Sequence, residues 1–239
     1  MEPKKSLSQN FLIDKNICKK IISHTSIKNK NIMEIGPGYG KLTEFIINEK
    51  PKNLYLVEKD DYLSEYLSKK YKKHSNIYVY NKDLLNLNLN EFQKLIVISN
   101  LPYNLSTKII LHLFNYYKII DEILVMIQKE VAYKFDYSLP KMNKYKFYTK
   151  NMSIYKRCFN VSPQVFFPKP KINSTVVKFK INKKDKDISK LELFCKIMFK
   201  NMRKKIINKL EIKLKDSVIL HKRVDQLNIN ELLRLYNFF

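Results

Sequence analysis

Short apolar runs alternate with amphipathic stretches along most of this chain. "NIMEI" (31–35) is apolar and ends in an acid, and "KLTEFIINE" (41–49) places apolar residues at 42, 45, 46 and 47, close to helical spacing. "NLYLVEKD" (53–60) is apolar and ends in acids, "YLSEYLSKKY" (62–71) is helical, and "NIYVYNKD" (76–83) is strand-like and again ends in an acid. "KLIVISNLPYN" (94–104) is strand-like and runs into a proline turn, "TKIILHLFNYY" (107–117) is helical, and "EILVMIQKE" (122–130) is a further strand. This alternation predicts an α/β fold, a parallel sheet flanked by helices. The segment 157–181 is β-like but broken by three prolines, and two late strands there could close the sheet edge. From "DKDISKLELFCKIMFKNMRKKIINKL" (185–210) onward the pattern is helical and basic. The charged run "NKKDKD" (182–187) marks the boundary, which gives domains of 1–184 and 185–239.

Gly36, Gly38 and Gly40, all within "EIGPGYGKLT" (34–43), are the only glycines among 239 residues. Average usage of about 7% would give roughly 17. Glycine is needed where φ is positive or where another group must touch the backbone. A chain that fills its other turns with Asn and Lys keeps glycine only where no side chain fits. Strand, glycine turn and helix open a nucleotide-binding βα unit.

Composition narrows the field. Apolar content of 45% supports a globular core, and no run of 18 apolar residues is present to span a membrane. The opening "MEPKKSLSQNFL" has no apolar signal-peptide core. Cys18, Cys158 and Cys195 are scattered and read as reduced cysteines of an intracellular protein. The histidines at 24, 74, 112 and 221 lack metal-ligand spacing, so no metal is expected. The net charge of +24 points to a polyanionic partner, nucleic acid first. The richness in Lys, Asn, Ile, Tyr and Phe, with four arginines, is also what an AT-rich genome produces through codon usage. Mutation pressure could therefore account for much of the charge.

In open α/β sheets the ligand lies beyond the carboxyl ends of the strands. Glu34, Glu58, Asp83 and Asn100 fall at those ends. A carboxylate at Glu58 can accept from both hydroxyls of a ribose and repels a ribose phosphate. Asp83 can accept from an adenine amino group. No P-loop Lys-Ser/Thr is present, which leaves a dinucleotide or S-adenosylmethionine. "SNLPYN" (99–104) favours the second. The amine of adenine is a poor nucleophile, because its lone pair is delocalised into the ring. It needs acceptors that hold its N–H bonds and favour a more tetrahedral nitrogen. The Asn100 side-chain oxygen and the carbonyl of Leu101 or Pro102 can serve, the proline aims the turn, and Tyr103 can stack on the base.

These residues resemble the rRNA adenine N6,N6-dimethyltransferase family over nearly the whole chain. "LSQNFL" (7–12) is similar to the family's LGQNFL opening, with Ser8 in place of Gly. "EIGPGYGKLT" matches its methyl-donor loop, "NLPYN" its catalytic motif, and "FFPKPKINSTVV" (166–177) its F-x-P-x-P-K-V-x-S segment. The family's Y-G-x-L-S segment reads "YKFYTKN" (145–151) here. "FKNMRKKIINKL" (199–210) is similar to the tail of the branch that modifies small-subunit rRNA, with Phe199, Arg203, Lys204, Ile206, Asn208 and Leu210 fitting its pattern. A second branch, which modifies large-subunit rRNA and gives antibiotic resistance, shares the plan but resembles the chain less.

The resemblance implies a Rossmann-like S-adenosylmethionine-dependent methyltransferase domain with a small C-terminal helical domain. It implies that Asn10 and Leu12 enclose S-adenosylmethionine, that Gly36 lies against it, that Glu58 holds its ribose and Asp83 its adenine, and that Asn100 sits at the methyl group. Phe166 matches the family's aromatic near the target base, where it would stack opposite Tyr103; core packing is the alternative for that ring. Arg203, Lys204 and Lys205 would meet RNA phosphates or form a solvated helix face. The implied activity is N6,N6-dimethylation of two adjacent adenosines near the 3′ end of small-subunit rRNA, by a monomer in the cytoplasm or an organelle matrix. The implied partner is the immature small subunit, which an assembly factor of the same family could also bind without methylating it.

Overall fold

The structure, a computed structural model, describes residues 10–209 and 217–239. Ser8 and Leu210, which carry part of the resemblance, lie outside the described residues. Two compact units emerge. The first comprises residues up to Ala132 together with Lys156–Lys183, and the second comprises Tyr133–Tyr155 with Lys184–Phe239.

The first unit is built on β2 (Asn31–Ile35), β3 (Asn53–Glu58), β4 (Ile77–Asn81), β5 (Leu95–Asn100), β6 (Ile120–Gln128), β7 (Ser153–Val161) and β9 (Ser174–Ile181). They form one seven-stranded sheet in the order β4-β3-β2-β5-β6-β9-β7. Strands β4 to β6 run parallel, and β9 lies antiparallel to β6 from Glu122↔Lys180 to Gln128↔Ser174. The two late strands thus extend the sheet edge as the sequence pattern suggested. The helices α1 (Lys15–Ile22), α2 (Lys41–Asn48), α3 (Asp61–Lys70) and α4 (Ser106–Asn115) link and flank the strands. A separate two-stranded ribbon pairs β1 (Phe11–Leu12) with β8 (Phe166–Phe167).

Parallel strands covered on both faces read as continuous apolar runs. Accordingly Ile96, Val97 and Ile98 of β5 and Leu124, Val125 and Met126 of β6 are all buried. One apolar cluster packs Leu54 and Leu56 against Leu67 and Tyr71 at the end of α3, with Ile46 of α2 beside them. The order places β2 between β3 and β5, so the chain leaves β2 toward one side of the sheet and returns on the other. Such a reversal opens a crevice at the carboxyl ends of the two strands.

The second unit holds α6 (Lys144–Met152), α7 (Ile188–Phe199), α8 (Ser217–His221) and α9 (Ile229–Phe238), with α5 (Lys129–Phe135) entering it at Tyr133. Phe147, Phe194 and Tyr236 form its aromatic centre, with ring centroids 5.1–5.7 Å apart. The helix expected to run on through 199–210 stops at Phe199. Asn201 adopts a left-handed φ of 52°, and the Lys209 ammonium takes over the Met198 carbonyl at 2.8 Å and also binds the Lys200 carbonyl. Arg203, Lys204 and Lys205 therefore stand exposed on a turn rather than on a helix face.

All three glycines have positive φ, at 61°, 58° and 77°. Elsewhere the left-handed positions are filled by Asn29, Lys50, Lys94, Lys141 and Asn201. Gly40 is special because an added Cβ would fall 2.6 Å from the Tyr71 hydroxyl and 3.2 Å from Leu67. Gly40→Ala is therefore expected to lose about 2–3 kcal/mol of unfolding free energy, from left-handed strain plus the clash. Lys50→Gly is expected to be neutral or up to about 1 kcal/mol stabilising. Urea unfolding of both variants checks the contrast, and equal effects would contradict it.

Candidate active site

The glycine turn leaves β2 at Gly36, whose N–H is held by the Val57 carbonyl at 2.9 Å. Lysine 70 of α3 ties the turn from outside, donating to the Tyr39 carbonyl at 3.2 Å and to Glu44 at 2.8 Å. Tyr71 donates to the Gly40 carbonyl at 3.3 Å. Next to the turn, the Ser99 hydroxyl of β5 donates to the Ile35 carbonyl at 2.5 Å and so locks the ends of β5 and β2 together. Between them opens a cleft of about 530 Å³, the size of a small-ligand site. Every residue lining it belongs to the first unit.

Asn10, Leu12, Gly36, Glu58, Asp83 and the run Asn100–Tyr103 all line this cleft. Glu58 is buried and accepts the Gly38 N–H at 3.1 Å on one oxygen and the Asp60 N–H at 3.0 Å on the other. Its carboxylate is thus fixed in orientation, while each oxygen keeps a lone pair. Burial raises its pKa, and the two backbone N–H groups oppose that rise. Asp83 lies just past β4 and caps the short turn Leu84–Asn86, accepting the Leu85 N–H at 3.0 Å. Its second oxygen pairs with Lys59 at 2.9 Å. Burial pushes the Asp83 carboxyl up, but Lys59 and the Leu85 N–H outweigh it and hold the group below its ordinary value.

Asn100 ends β5, and its Nδ2 donates to the Asn10 carbonyl at 2.9 Å. Only the amide nitrogen can bond a carbonyl oxygen, so this contact fixes which way the side chain faces. Its Oδ1 is buried and has no hydrogen-bond partner. A buried acceptor without a donor costs about 1–3 kcal/mol, which a ligand N–H would recover. The Pro102 carbonyl accepts the Leu105 N–H at 3.2 Å, so the Leu101 carbonyl is the freer backbone acceptor beside it. Tyr103 is half-buried, and its hydroxyl shares a 2.7 Å hydrogen bond with Ser174 at the start of β9. That bond clamps the ring in place.

Phe166 requires a correction. It is 3% exposed, packs with Leu12, Val161 and Val176, and does not line the cleft. Its cross-strand partner is Leu12, and alternation along β8 turns Phe167 outward instead, at 59% exposure. Core packing is thus what the structure gives that ring. Glu34 lines the cleft as expected of a strand end, but it is 2% exposed and already accepts the Thr43 hydroxyl at 2.6 Å, bracing α2 on β2. Arg203, Lys204 and Lys205 lie in the other unit.

The sequence reading missed Lys59, Ser99, Thr43 and Phe11. Phe11 is within 2.9 Å of where a Cβ on Gly38 would sit and packs on Tyr39 at 5.0 Å, so it roofs the glycine turn. Its place between Asn10 and Leu12 was a usable signal. Lys59 carried none, since a lysine after a strand-end acid is ordinary in so basic a chain.

The strand order, the glycine turn at the point of reversal, the fixed Glu58 carboxylate and the free Asn100 acceptor define a Rossmann-like S-adenosylmethionine-dependent methyltransferase. The whole chain, residues 1–239, matches the model of the ribosomal RNA adenine dimethylase family, to which it belongs. It is 39% identical to the ribosomal RNA small subunit methyltransferase A of Pelagibacter ubique (strain HTCC1062), over 85% of this chain and 81% of that one. Its fold is similar to that of a dimethyladenosine transferase from Plasmodium falciparum (TM-score 0.79, 22% identity, 96% of this chain and 100% of that one). It is equally similar to that of the 23S rRNA methyltransferase ErmE (TM-score 0.79, 20% identity, 95% of this chain and 98% of that one). At those identities the two structures establish the fold alone, and the equal scores do not separate one rRNA target from the other.

Burial pushes the Glu34 carboxyl up to about 8, with the Thr43 hydroxyl opposing and the Glu58 charge adding to the rise. A carboxyl with a raised folded pKa keeps its proton in the fold after the unfolded chain has lost it. Its contribution to stability therefore falls as pH rises from near 4.5 to about 8. Glu34→Gln should remove that decline, with the variant gaining up to roughly 4 kcal/mol relative to wild type by pH 8. Urea unfolding at pH 5, 6.5 and 8 checks this, and parallel pH profiles would rule it out.

Proposed function

We propose that this protein transfers methyl groups to N6 of two adjacent adenosines near the 3′ end of small-subunit rRNA, dimethylating each, as a step in small-subunit biogenesis. The observation that carries the reading is the buried Asn100 Oδ1, an acceptor without a partner at the carboxyl end of β5. Bound in the cleft, S-adenosylmethionine supplies an electrophilic methyl group on a sulfonium. Glu58 accepts from the ribose hydroxyls, with its carboxylate already aimed by Gly38 and Asp60. Asp83 accepts from the adenine amine of the donor, using the lone pairs that Lys59 and Leu85 leave. Gly36 allows close approach, since nothing lies within 4 Å of where its side chain would be. Asn10 and Leu12 close the site from the β1 ribbon.

The target adenosine leaves its stack and enters beside β5. Asn100 Oδ1 takes one N–H of its amine and the Leu101 carbonyl the other. Both acceptors pull the nitrogen toward tetrahedral geometry and return its lone pair from the ring. No strong base is required: the N–C bond forms as the methyl's bond to the donor sulfur breaks, leaving a thioether, and the nitrogen, by then cationic, loses its proton to water. Tyr103 stacks on the base, its ring held by Ser174. With Phe166 in the core, Tyr103 is the aromatic ring of the cleft that stands beside Asn100; Phe11 and Tyr39 lie at the glycine turn. Positioning supplies most of the rate. The first unit would carry the chemistry and the second, which takes in residues 133–155 besides the expected 185–239, would dock RNA, with Arg203, Lys204 and Lys205 meeting phosphates from their exposed turn. The protein would act as a monomer in the cytoplasm or an organelle matrix.

The test is methyl transfer from labelled S-adenosylmethionine to small-subunit particles lacking the modification, with the label mapped by position. Dimethylation of two adjacent adenosines near the 3′ end is expected, and Glu58→Ala should weaken donor binding roughly 10- to 100-fold. Particles that bind the protein but take no label would make it an assembly factor. Label on large-subunit rRNA alone would place it with the resistance enzymes.

A further inference from the structure

A second cluster of the first unit lies outside the cleft. Lys20, in the last turn of α1, sets its ammonium 4.4 Å from the ring centroid of Phe159 on β7. His24 stacks on the same ring, 5.4 Å away and inclined by 27°. Lys178 of β9 donates to the His24 carbonyl at 2.8 Å and pairs with Glu122 of β6 at 2.9 Å. Lys156 of β7 is exposed, and its charge acts on His24. β7 is the outermost strand of the sheet on that side, and none of these residues lines the cleft.

The charges that face His24 are Lys20 from α1, Lys156 from β7 and Lys178 from β9. Glu122 on β6 is the acid of the cluster, and it is engaged by Lys178. The Cys158 thiol is half-buried, and burial raises its pKa, so it adds no charge. Lys20 and Lys156 form no ion pair among the described residues, and the positive excess rests on them. Burial, then the charges of Lys156, Lys178 and Lys20, holds the His24 imidazole below its ordinary value. Positive potential thus converges on an aromatic floor: the Lys20 ammonium lies over the Phe159 ring and the Lys156 charge acts on His24, neither of them ion-paired among the described residues. A lysine parked over a ring face is pre-positioned and gives up little freedom on meeting an anion.

We propose that Lys20, Lys156 and the Phe159–His24 floor form a docking site for the phosphate backbone of the RNA substrate, outside the catalytic cleft. The RNA identity of the polyanion rests on the proposed function above; the charge argument does not. A phosphate seated here offsets the lysine repulsion that, after burial, opposes His24 protonation, so RNA binding and His24 protonation favour each other by linkage.

The experiment uses the full chain and an RNA carrying the 3′ end of small-subunit rRNA. Its Kd is measured over a series of salt concentrations for wild type, Lys20→Ala/Lys156→Ala and Lys20→Arg/Lys156→Arg. The alanine pair is expected to bind roughly tenfold more weakly near 0.1 M salt, with the log–log salt slope smaller by about two; the arginine pair keeps both. The NMR titration midpoint of His24, identified with His24→Asn, should rise when RNA binds wild type and stay unmoved in the alanine pair. Unchanged slopes, or a His24 midpoint indifferent to bound RNA, would make the cluster solvated surface. Methyl transfer at saturating RNA separates the two readings. Normal transfer with an unchanged slope overturns the docking site alone. Loss of slope and of the His24 shift in the alanine pair, with no methyl transfer by wild type, overturns the catalytic reading and leaves the docking site standing.

Discussion

The hydrogen bond from Asn100 Nδ2 to the Asn10 carbonyl, 2.9 Å long, joins residues 90 positions apart and fixes the orientation of the Asn100 amide in the cleft, on which the proposed chemistry depends. It spends the donor end of the amide on the β1 ribbon and leaves the acceptor end buried and open. Each part of the surrounding fold keeps that arrangement in register. Ser99 ties β5 to β2, the Leu101 N–H bonds the Met126 carbonyl of β6, and Ser174 holds Tyr103 from β9. The β1 ribbon itself is anchored by pairing with β8 and by the Ile13 N–H on the Val165 carbonyl. A neutral, weakly nucleophilic amine needs acceptors in fixed places more than it needs a base. The buried Asn100 Oδ1 is such an acceptor on the proposed reading.

The lysines are not one population. Some do internal work in place of the glycines and caps the chain lacks. Lys146 is 3% exposed and donates to the Leu139, Pro140 and Lys141 carbonyls at 2.8, 2.5 and 3.1 Å. It stands where the family's Y-G-x-L-S segment has its glycine. Lys209 caps the end of α7, and Lys183 binds the Ile120 carbonyl at 2.7 Å. Burial lowers the pKa of Lys146 and of Lys209, the expected cost of drawing an ammonium out of water. These residues contribute to the formal charge of +24 without presenting it to a partner. The charge available to RNA is therefore smaller than composition suggests, and its placement matters more than its sum.

The parallel core was legible because its strands read as apolar runs that end in acids and its helices keep their spacing. Glu58 and Asn100 were legible because each ends a strand at the side where ligands bind. Asp83 lines the cleft, but its engagement by Lys59 was not foreseeable, since no sequence pattern records which lysine of many will pair. Phe166 illustrates the limit of a motif. Two adjacent phenylalanines on a strand point to opposite faces, and the motif cannot say which ring the pairing with Leu12 will bury. The break after Phe199 was hidden for a related reason: an Asn in left-handed conformation ends a helix as glycine would, without glycine's signal. Residues 133–155 cluster with the C-terminal helices, a long-range association that no linker composition announces.

The most direct measurement is single-turnover methyl transfer by Asn100→Ala, with S-adenosylmethionine affinity measured on the same preparation by calorimetry. Donor affinity should stay within a few-fold of wild type while the transfer rate falls by about 10²–10³, the cost of one positioned hydrogen-bonding group in a transition state. A transfer rate close to wild type, with the donor bound normally, would contradict this and remove the buried Asn100 acceptor from the chemistry.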